Sequence, residues 1–179
     1  MLKTLRQIAH IGIVSEPWPA AAAAGTTPVA LQERILQLLG RALCIRHVDA
    51  GSCNGCELEI HAINNPIYNI EGRGIRFVAS PRHADLLLVT GPVSRHMEVA
   101  LRRTYQATPS PKLVVALGDC GCNGGIFGES YASLGRVGNV IPVDATIAGC
   151  PPTPVQILAG IAALLEPRQA ARPPAHTQI

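Results

Sequence analysis

Five short apolar runs alternate with segments of helical pattern from residue 45 onward, and this alternation limits the folds open to the chain. The runs are rich in Val, Ile and Leu, and some are apolar on both faces, as expected of buried parallel strands. They are 45-IRHVDA-50, 75-IRFVAS-80, 85-DLLLVT-90, 112-KLVVAL-117 and 140-VIPVDA-145. The helical pattern covers roughly 54–64, 94–107 and 154–165. We therefore predict a three-layer α/β domain with a mostly parallel sheet.

The domain is expected to span residues 29–165. Residues 1–28 begin with a short amphipathic stretch and continue into a Pro/Ala/Gly-rich segment, so we predict an N-terminal arm. Residues 166–179 are polar and proline-rich, and we predict a disordered tail.

An amphipathic helix is predicted over 29–43, at the start of the domain. Its apolar face carries Leu31, Ile35, Leu38, Leu39 and Ala42. Such a face packs on the domain's own core in most proteins, but it also suits a docking surface for a partner subunit or for the membrane interface.

Composition excludes several classes of function. Apolar residues make up 47% of the chain, so a large core can form without disulfides, and the six cysteines favour metal or redox chemistry. A net charge of +3 and only 3% aromatic residues do not indicate nucleic-acid binding. Polar residues and prolines from His10 to Pro19 interrupt the apolar N-terminus. We therefore expect a cytoplasmic protein that does not itself span a membrane.

Cysteines follow three of the predicted strands. Cys53 and Cys56 come after the first strand, Cys120 and Cys122 after the fourth, and Cys150 after the fifth. The carboxyl ends of parallel strands meet at one edge of a sheet, so the sulfurs should converge there. Glycines flank them and let the backbone approach a bulky ligand; they are Gly51, Gly55, Gly118, Gly121, Gly124, Gly125 and Gly149. Unhindered amides near sulfur suit an iron-sulfur cluster.

Other sulfur sites explain the cysteines less completely. Structural zinc is usually held by two closely spaced ligand pairs, and Cys150 has no near companion. A thioredoxin-like dithiol explains Cys53 and Cys56 but leaves Cys120 and Cys150 unexplained. The bacterial two-cluster ferredoxin motif is absent. One cubane cluster on four dispersed cysteines fits best, and we favour Cys120 over Cys122 because alternate residues of an extended loop face opposite sides.

Four stretches resemble a known family of redox subunits. They are GSCNGCELEI, LLLVTGPVSR, PKLVVALGDCGCNGGIFGESYA and AGCPPTP, and the resemblance covers about 43–165. The chain is similar to the small subunit of nickel-iron hydrogenases and to the related 20 kDa subunit of respiratory complex I. It looks most like the small subunit of membrane-bound, energy-converting (group 4) hydrogenases of the formate hydrogenlyase type. Complex I subunits typically have adjacent cysteines where this chain has Cys53-Asn54-Gly55-Cys56. We also expect neither the twin-arginine leader nor the two-cluster C-terminal extension of periplasmic uptake hydrogenases.

The resemblance implies a flavodoxin-like domain with a single proximal 4Fe-4S cluster held by Cys53, Cys56, Cys120 and Cys150. It also implies an electron-transfer subunit of an oxidoreductase with no substrate chemistry of its own. The chain would relay electrons between ferredoxin-like subunits and the nickel-iron centre of a large subunit. Integral membrane subunits would hold the complex on the cytoplasmic face of the inner membrane. Cys122 lies where relatives carry various residues, and Cys44 is expected to be a small buried side chain.

An alternative function and several charged residues stay open. The chain could instead serve a complex I-like oxidoreductase that lacks nickel and reduces quinone or another acceptor, or it could be a stand-alone redox module. Glu57 and Glu59 could belong to a proton path, or could simply favour the first turn of a helix. Arg95 and His96 could tune the cluster or contact the large subunit, or could simply be exposed. We expect Asp85 and Arg82 to be ordinary solvated charges.

Overall fold

The computed structural model describes residues 28–165, together with residues 2, 3, 6 and 10, which are helical. Most of the predicted arm at 1–28 and all of the predicted tail at 166–179 lie outside the described residues, so the domain boundaries stay predictions. Among the described residues, no helix is both long enough and apolar enough to cross a membrane.

All five strands of the sheet are parallel, which confirms the predicted α/β class. The strands are β1 Leu43–Asp49, β2 Ile75–Phe77, β3 Leu86–Thr90, β4 Leu113–Leu117 and β5 Ala145–Ile147. Their spatial order is β2-β1-β3-β4-β5, the flavodoxin-like order, with the switch point beside β1. Thr90 lies opposite both Asp49 and Leu117, and Leu117 lies opposite Ile147. The carboxyl ends of β1, β3, β4 and β5 therefore form one level edge, the rim.

Helices cover both faces of the sheet and complete the three layers. They are α1 Pro28–Leu39, α2 Gly55–Ala62, α3 Glu98–Ala107, α4 Gly118–Asn123 and α5 Pro154–Leu165. The first core packs α1, α2 and α5 against one face of the sheet, and the second core packs Leu101 of α3 against the other. Strand β3 is buried throughout: Leu86 and Leu88 enter the first core, whereas Leu87 and Val89 enter the second. This alternation follows from the two-residue period of a strand.

Two predicted elements differ in the structure. The fifth strand does not occupy 140–145, because Val137–Asn139 form a 3-10 turn and the strand begins only at Ala145. Val140 and Ile141 are apolar because they pack into the second core, not because they pair in the sheet. The helix predicted over 94–107 begins at Glu98.

Helix α1 packs mainly on the chain's own core. Leu31 and Ile35 are buried in the first core, with Leu39 partly buried against it. Arg34 Nε donates to the carbonyl of Leu165 at 3.1 Å and ties α1 to α5. Leu38 was predicted to share the buried face but is 48% exposed, so the apolar face is narrower than the sequence indicated.

Candidate metal centre at the rim

The loop after β1 carries Cys53 and leads into α2. Asp49 Oδ1 accepts hydrogen bonds from the amides of Gly51 and Ser52, each at 2.8 Å, and so turns the chain sharply at the end of β1. Cys53 is exposed in this loop, whereas Cys56 lies in the first turn of α2 and is 9% exposed. The two thiols therefore reach the rim from one short segment.

Cys120 and Cys150 are delivered by two neighbouring strands and are fastened to each other's segments. Helix α4 begins directly after β4 and carries Cys120, and Cys150 follows β5. The amide of Asp119 donates to the carbonyl of Gly149 at 2.9 Å, and the amide of Gly149 donates to Asp119 Oδ1 at 2.7 Å. This reciprocal pair of hydrogen bonds fixes the Cys120 helix against the Cys150 loop.

Two of the four thiols, those of Cys56 and Cys120, are affected by the charges of the others. Burial, followed by the charges of Glu57, Cys53, Cys120 and Cys150, raises the pKa of Cys56 to about 12. Burial also raises the pKa of Cys120, followed by the charges of Cys150 and Cys53. A raised pKa favours the protonated thiol, so a cation bound by Cys56 and Cys120 would have to displace their protons.

Two glycines make the space beside the sulfurs. A Cβ built on Gly118 would lie 2.6 Å from Cys56 Sγ, and one built on Gly125 would lie 2.7 Å from Cys120 Sγ. Both residues have positive φ, at +81° and +56°. Side chains at either position would be strained and would collide with a thiol, so glycine is required by both the backbone and the site.

Cys122 points away from the rim. Its Sγ donates to the carbonyl of Ala116 at 3.5 Å, and its side chain packs against the second core. The expectation that Cys120 and Cys122 face opposite sides holds, but its reason was wrong, because the segment is helical and not extended. Side chains two residues apart in an α-helix differ in direction by about 200°, so they also point to nearly opposite sides.

Cys44 and Asp85 lie near the opposite end of the sheet. Cys44 is only half-buried, and its Sγ donates to the carbonyl of Ala42 at 3.7 Å. Asp85 forms a bidentate ion pair with Arg41, at 2.9 and 2.6 Å, and accepts a hydrogen bond from the amide of Cys44 at 3.0 Å. The expectation that Asp85 is an ordinary solvated charge was wrong. Asp85 directly precedes β3, and its carboxylate binds Arg41, which follows α1, and the amide of Cys44 in β1.

Glu57 is buried next to the cysteines, at 8% exposure. Its Oε2 accepts the hydroxyl of Ser52 at 2.7 Å, and its Oε1 accepts the hydroxyl of Thr90. His47 Nε2 lies 3.0 Å from Thr90 Oγ1 and 3.6 Å from Glu57 Oε1. Burial lowers the pKa of His47, so this ring is neutral near pH 7. The sequence drew attention to Glu57, but nothing in it indicated Ser52, Thr90 or His47 as partners.

The other charged candidates lie apart from this network. Glu59 lies two residues after Glu57 on α2, is half-buried, and takes no part in this hydrogen-bond network. Arg95 is exposed and its Nη2 donates to the carbonyl of Ser130 at 3.3 Å, and His96 is exposed. A proton-path role for Glu57 or Glu59 stays a prediction.

The arrangement of the thiols does not match a mononuclear site. Within residues 28–165 and the four described N-terminal positions, no group of three or more His, Cys, Asp and Glu side chains is arranged to hold a single metal ion. Four thiolates around zinc, with Zn–S near 2.3 Å, need sulfurs within roughly 4 Å of each other.

The fold is thus a flavodoxin-like sheet with cysteines after three strand ends along one rim. The family model for the NADH ubiquinone oxidoreductase 20 Kd subunit matches residues 53–164, and the chain belongs to this family. Members of the family are subunits of oxidoreductase complexes and bind an iron-sulfur cluster. The resemblance inferred from the four sequence stretches is thereby confirmed.

Two relatives are subunits of hydrogen-metabolising complexes. The chain is 45% identical over 139 residues to the probable membrane-bound hydrogenase subunit mbhJ of Pyrococcus furiosus, covering 76% of this chain and 83% of that protein. It is 44% identical over 147 residues to formate hydrogenlyase subunit 7 of Escherichia coli, covering 80% of this chain. The match spans only 58% of that longer relative.

A solved structure of a different respiratory complex is also similar. It is the membrane-bound sulfane sulfur reductase, an archaeal respiratory membrane complex. The superposition has a TM-score of 0.63 at 35% sequence identity and covers 78% of this chain and 75% of that one. A similar fold therefore also occurs in a respiratory complex that is named for a different reaction.

Proposed function

We propose that this chain is the electron-transfer subunit of a membrane-bound nickel-iron hydrogenase complex and carries its single proximal 4Fe-4S cluster. The observation that carries the proposal is the convergence of Cys53, Cys56, Cys120 and Cys150 from three strand ends at the rim. It occurs in a chain 44–45% identical to two hydrogenase-complex subunits.

The residues present fit such a cluster. All four candidate ligands are thiols, and Gly118 and Gly125 leave free the space that side chains would fill. When bound, a 4Fe-4S cluster supplies one-electron transfer at a potential set by hydrogen bonds, burial and nearby charge. The protein's part is to hold the ligands in place, which the paired bonds between Asp119 and Gly149 do for two of them.

The proposed partners follow from the same assignment. They are a hydrogenase large subunit, a ferredoxin-like iron-sulfur subunit and integral membrane subunits, with this chain peripheral on the cytoplasmic face of the inner membrane. Cys53 and Cys150 are both exposed in the isolated chain, so a cluster here would need a protein cover to be shielded from water. Exposed apolar residues at the rim would take part in that contact.

A second candidate function is a subunit of a complex I-like oxidoreductase whose large subunit lacks nickel and reduces quinone or another acceptor. The likeness to the sulfane sulfur reductase complex favours it, because that complex is named for another acceptor. Against it stands the spacing of Cys53 and Cys56, which resembles the hydrogenase pattern and not the adjacent cysteines typical of complex I subunits.

The decisive experiment is metal analysis of the intact complex purified through this chain. Nickel in the complex, together with hydrogen production or uptake, supports the hydrogenase assignment. Iron without nickel, in a complex that reduces quinone or another acceptor, supports the second candidate. Anaerobic reconstitution of the full chain with iron and sulfide tests the cluster itself: failure to bind iron in a folded chain that binds one zinc tightly would refute it.

A further inference from the structure

We propose that Glu57 is a positioning residue whose buried carboxylate fastens the loop carrying Cys53 to the end of β3. It thereby sets where the Cys53 sulfur lies relative to the other three thiols. The inference rests on the proposed function, because the task it gives Glu57 is to place a cluster ligand.

Two hydroxyl groups from separate segments meet on this carboxylate. Ser52, the residue directly before Cys53, donates to Oε2 at 2.7 Å, and Thr90, the last residue of β3, donates to Oε1. Glu57 itself directly follows Cys56 on α2. One side chain therefore links the loop of the first ligand, the helix of the second, and the strand that lies between β1 and β4.

The partners of Glu57 are themselves held in place. Because Thr90 donates to Glu57, its oxygen accepts from His47 Nε2 at 3.0 Å when the ring carries its proton on that nitrogen. Ser52 Oγ accepts the amide of Asn54 at 3.3 Å, which closes the turn around Cys53. With His47 in that tautomer, the hydrogen bonds run from His47 and Asn54 through the hydroxyls of Thr90 and Ser52 to the carboxylate. This directed arrangement leaves the loop little freedom to rotate.

The burial of Glu57 is not explained by helix formation. An acid in the first turn of a helix interacts favourably with the dipole while it remains in water. Burying a carboxylate is unfavourable unless donors compensate for its lost hydration. Glu57 turns inward and receives two hydroxyl donors, one of them on the residue next to a candidate ligand. The geometry therefore points to the Cys53 loop as the structure that this buried charge organises.

Matched substitutions separate the hydrogen bonds from the side-chain volumes. Thr90→Val removes the hydroxyl with little change of shape, whereas Thr90→Ser keeps it. Ser52→Ala and Ser52→Thr form a second pair, and Glu57→Ala removes the acceptor. Glu59→Gln, on the same helix but outside the network, is the control for a change of charge.

Two measurements on the full chain report how firmly the loop carrying Cys53 is held in place. In the metal-free chain, amide hydrogen exchange of the 50–55 segment should be about tenfold faster in Thr90→Val, Ser52→Ala and Glu57→Ala, because each variant loses a hydrogen bond to a charged group. In the chain reconstituted with iron and sulfide, the same variants should shift the electron paramagnetic resonance spectrum and the midpoint potential. Thr90→Ser, Ser52→Thr and Glu59→Gln should match the natural chain in both measurements.

The outcomes distinguish this inference from the proposed function. If the natural chain binds no iron, the cluster assignment fails, and the exchange data still decide whether Glu57 fastens the loop. If the natural chain binds its cluster but Thr90→Val and Ser52→Ala change neither exchange nor spectrum, the positioning role is refuted. One further outcome would refute the positioning role and support a proton path. In that outcome Glu57→Gln slows hydrogen turnover without changing the midpoint potential, and Thr90→Val and Ser52→Ala change neither exchange nor spectrum.

Discussion

Cys120 and Cys122 lie only two residues apart, yet the short helix α4 sends one thiol to the rim and the other into the second core. We therefore predict that Cys120→Ser and Cys150→Ser each abolish the four-iron cluster, since a cubane needs four protein ligands. Cys122→Ser should keep iron and sulfide content unchanged. Iron and sulfide analysis after anaerobic reconstitution, with the visible absorption spectrum, measures both results. A Cys122→Ser chain that binds no iron would reverse the ligand assignment.

Gly118 is a second residue whose replacement tests the candidate site. Gly118→Ala would place a Cβ 2.6 Å from Cys56 Sγ at a backbone φ of +81°, so the thiol must move. We expect loss of most bound iron and a fall of about 1–3 kcal/mol in the free energy of unfolding, measured by urea titration.

Gly128→Ala is the matched control for Gly118→Ala. Its φ is +53°, but nothing lies within 4 Å of an added Cβ. The left-handed backbone alone should cost about 1 kcal/mol, with full iron content. Equal iron binding by the two variants would show that the space beside Cys56 is not part of the site.

The residue scale also shows where sequence reasoning stops. The cysteines could be selected because glycine-flanked sulfurs at strand ends form a pattern along the chain. The partners of Glu57 could not, because Thr90 is 33 residues away and is an ordinary last residue of an apolar strand. Only the parallel register, which sets Asp49 beside Thr90, brings that hydroxyl to the loop after β1.

Among the elements, the strands buried on both faces were the easiest to predict. Strands β3 and β4 are continuous apolar runs within one residue of their predicted positions, because both layers of helices cover them. The run at 140–145 was misassigned because burial in the second core produces the same apolar signal as pairing in the sheet. Helix α4 was missed because its sequence, GDCGCN, has poor helix propensity and forms only where β4 and the Gly149 contact hold it.

Helix α1 offers a test of whether an element serves the core or a partner. Ile35 is fully buried in the first core, so Ile35→Ala should lower the free energy of unfolding of the isolated chain by about 2–5 kcal/mol. Leu36→Ala, at a half-exposed neighbouring position, should lower it by less than about 1 kcal/mol. Denaturant unfolding monitored by far-ultraviolet circular dichroism measures both. Similar small losses would mean that α1 is not an integral part of the domain core.

At the scale of the whole molecule, the level carboxyl ends of the strands gather the candidate ligands and an exposed apolar loop at the same rim. The loop after α4 presents Ile126, Phe127 and Tyr131, with Ile126 and Tyr131 more than 90% exposed. It borders the Cys53 loop, because Phe127 and Gly51 line one cavity of about 240 Å³. Side chains of this kind clustered on a surface indicate a protein contact.

We predict that this loop contacts the large subunit over the cluster. The double variant Ile126→Ser with Tyr131→Ser should weaken association with the large subunit by about tenfold or more, as expected for apolar anchors of an interface. Cluster content should stay unchanged, since neither side chain is a thiol ligand. Ile67→Ser is the control, because Ile67 is also exposed, at 83%, but follows α2 toward the opposite end of the sheet. Co-purification through this chain, scored by the ratio of large subunit to bait, measures the effect. Equal loss of the large subunit in the Ile67 variant would show that the rim is not the specific docking surface.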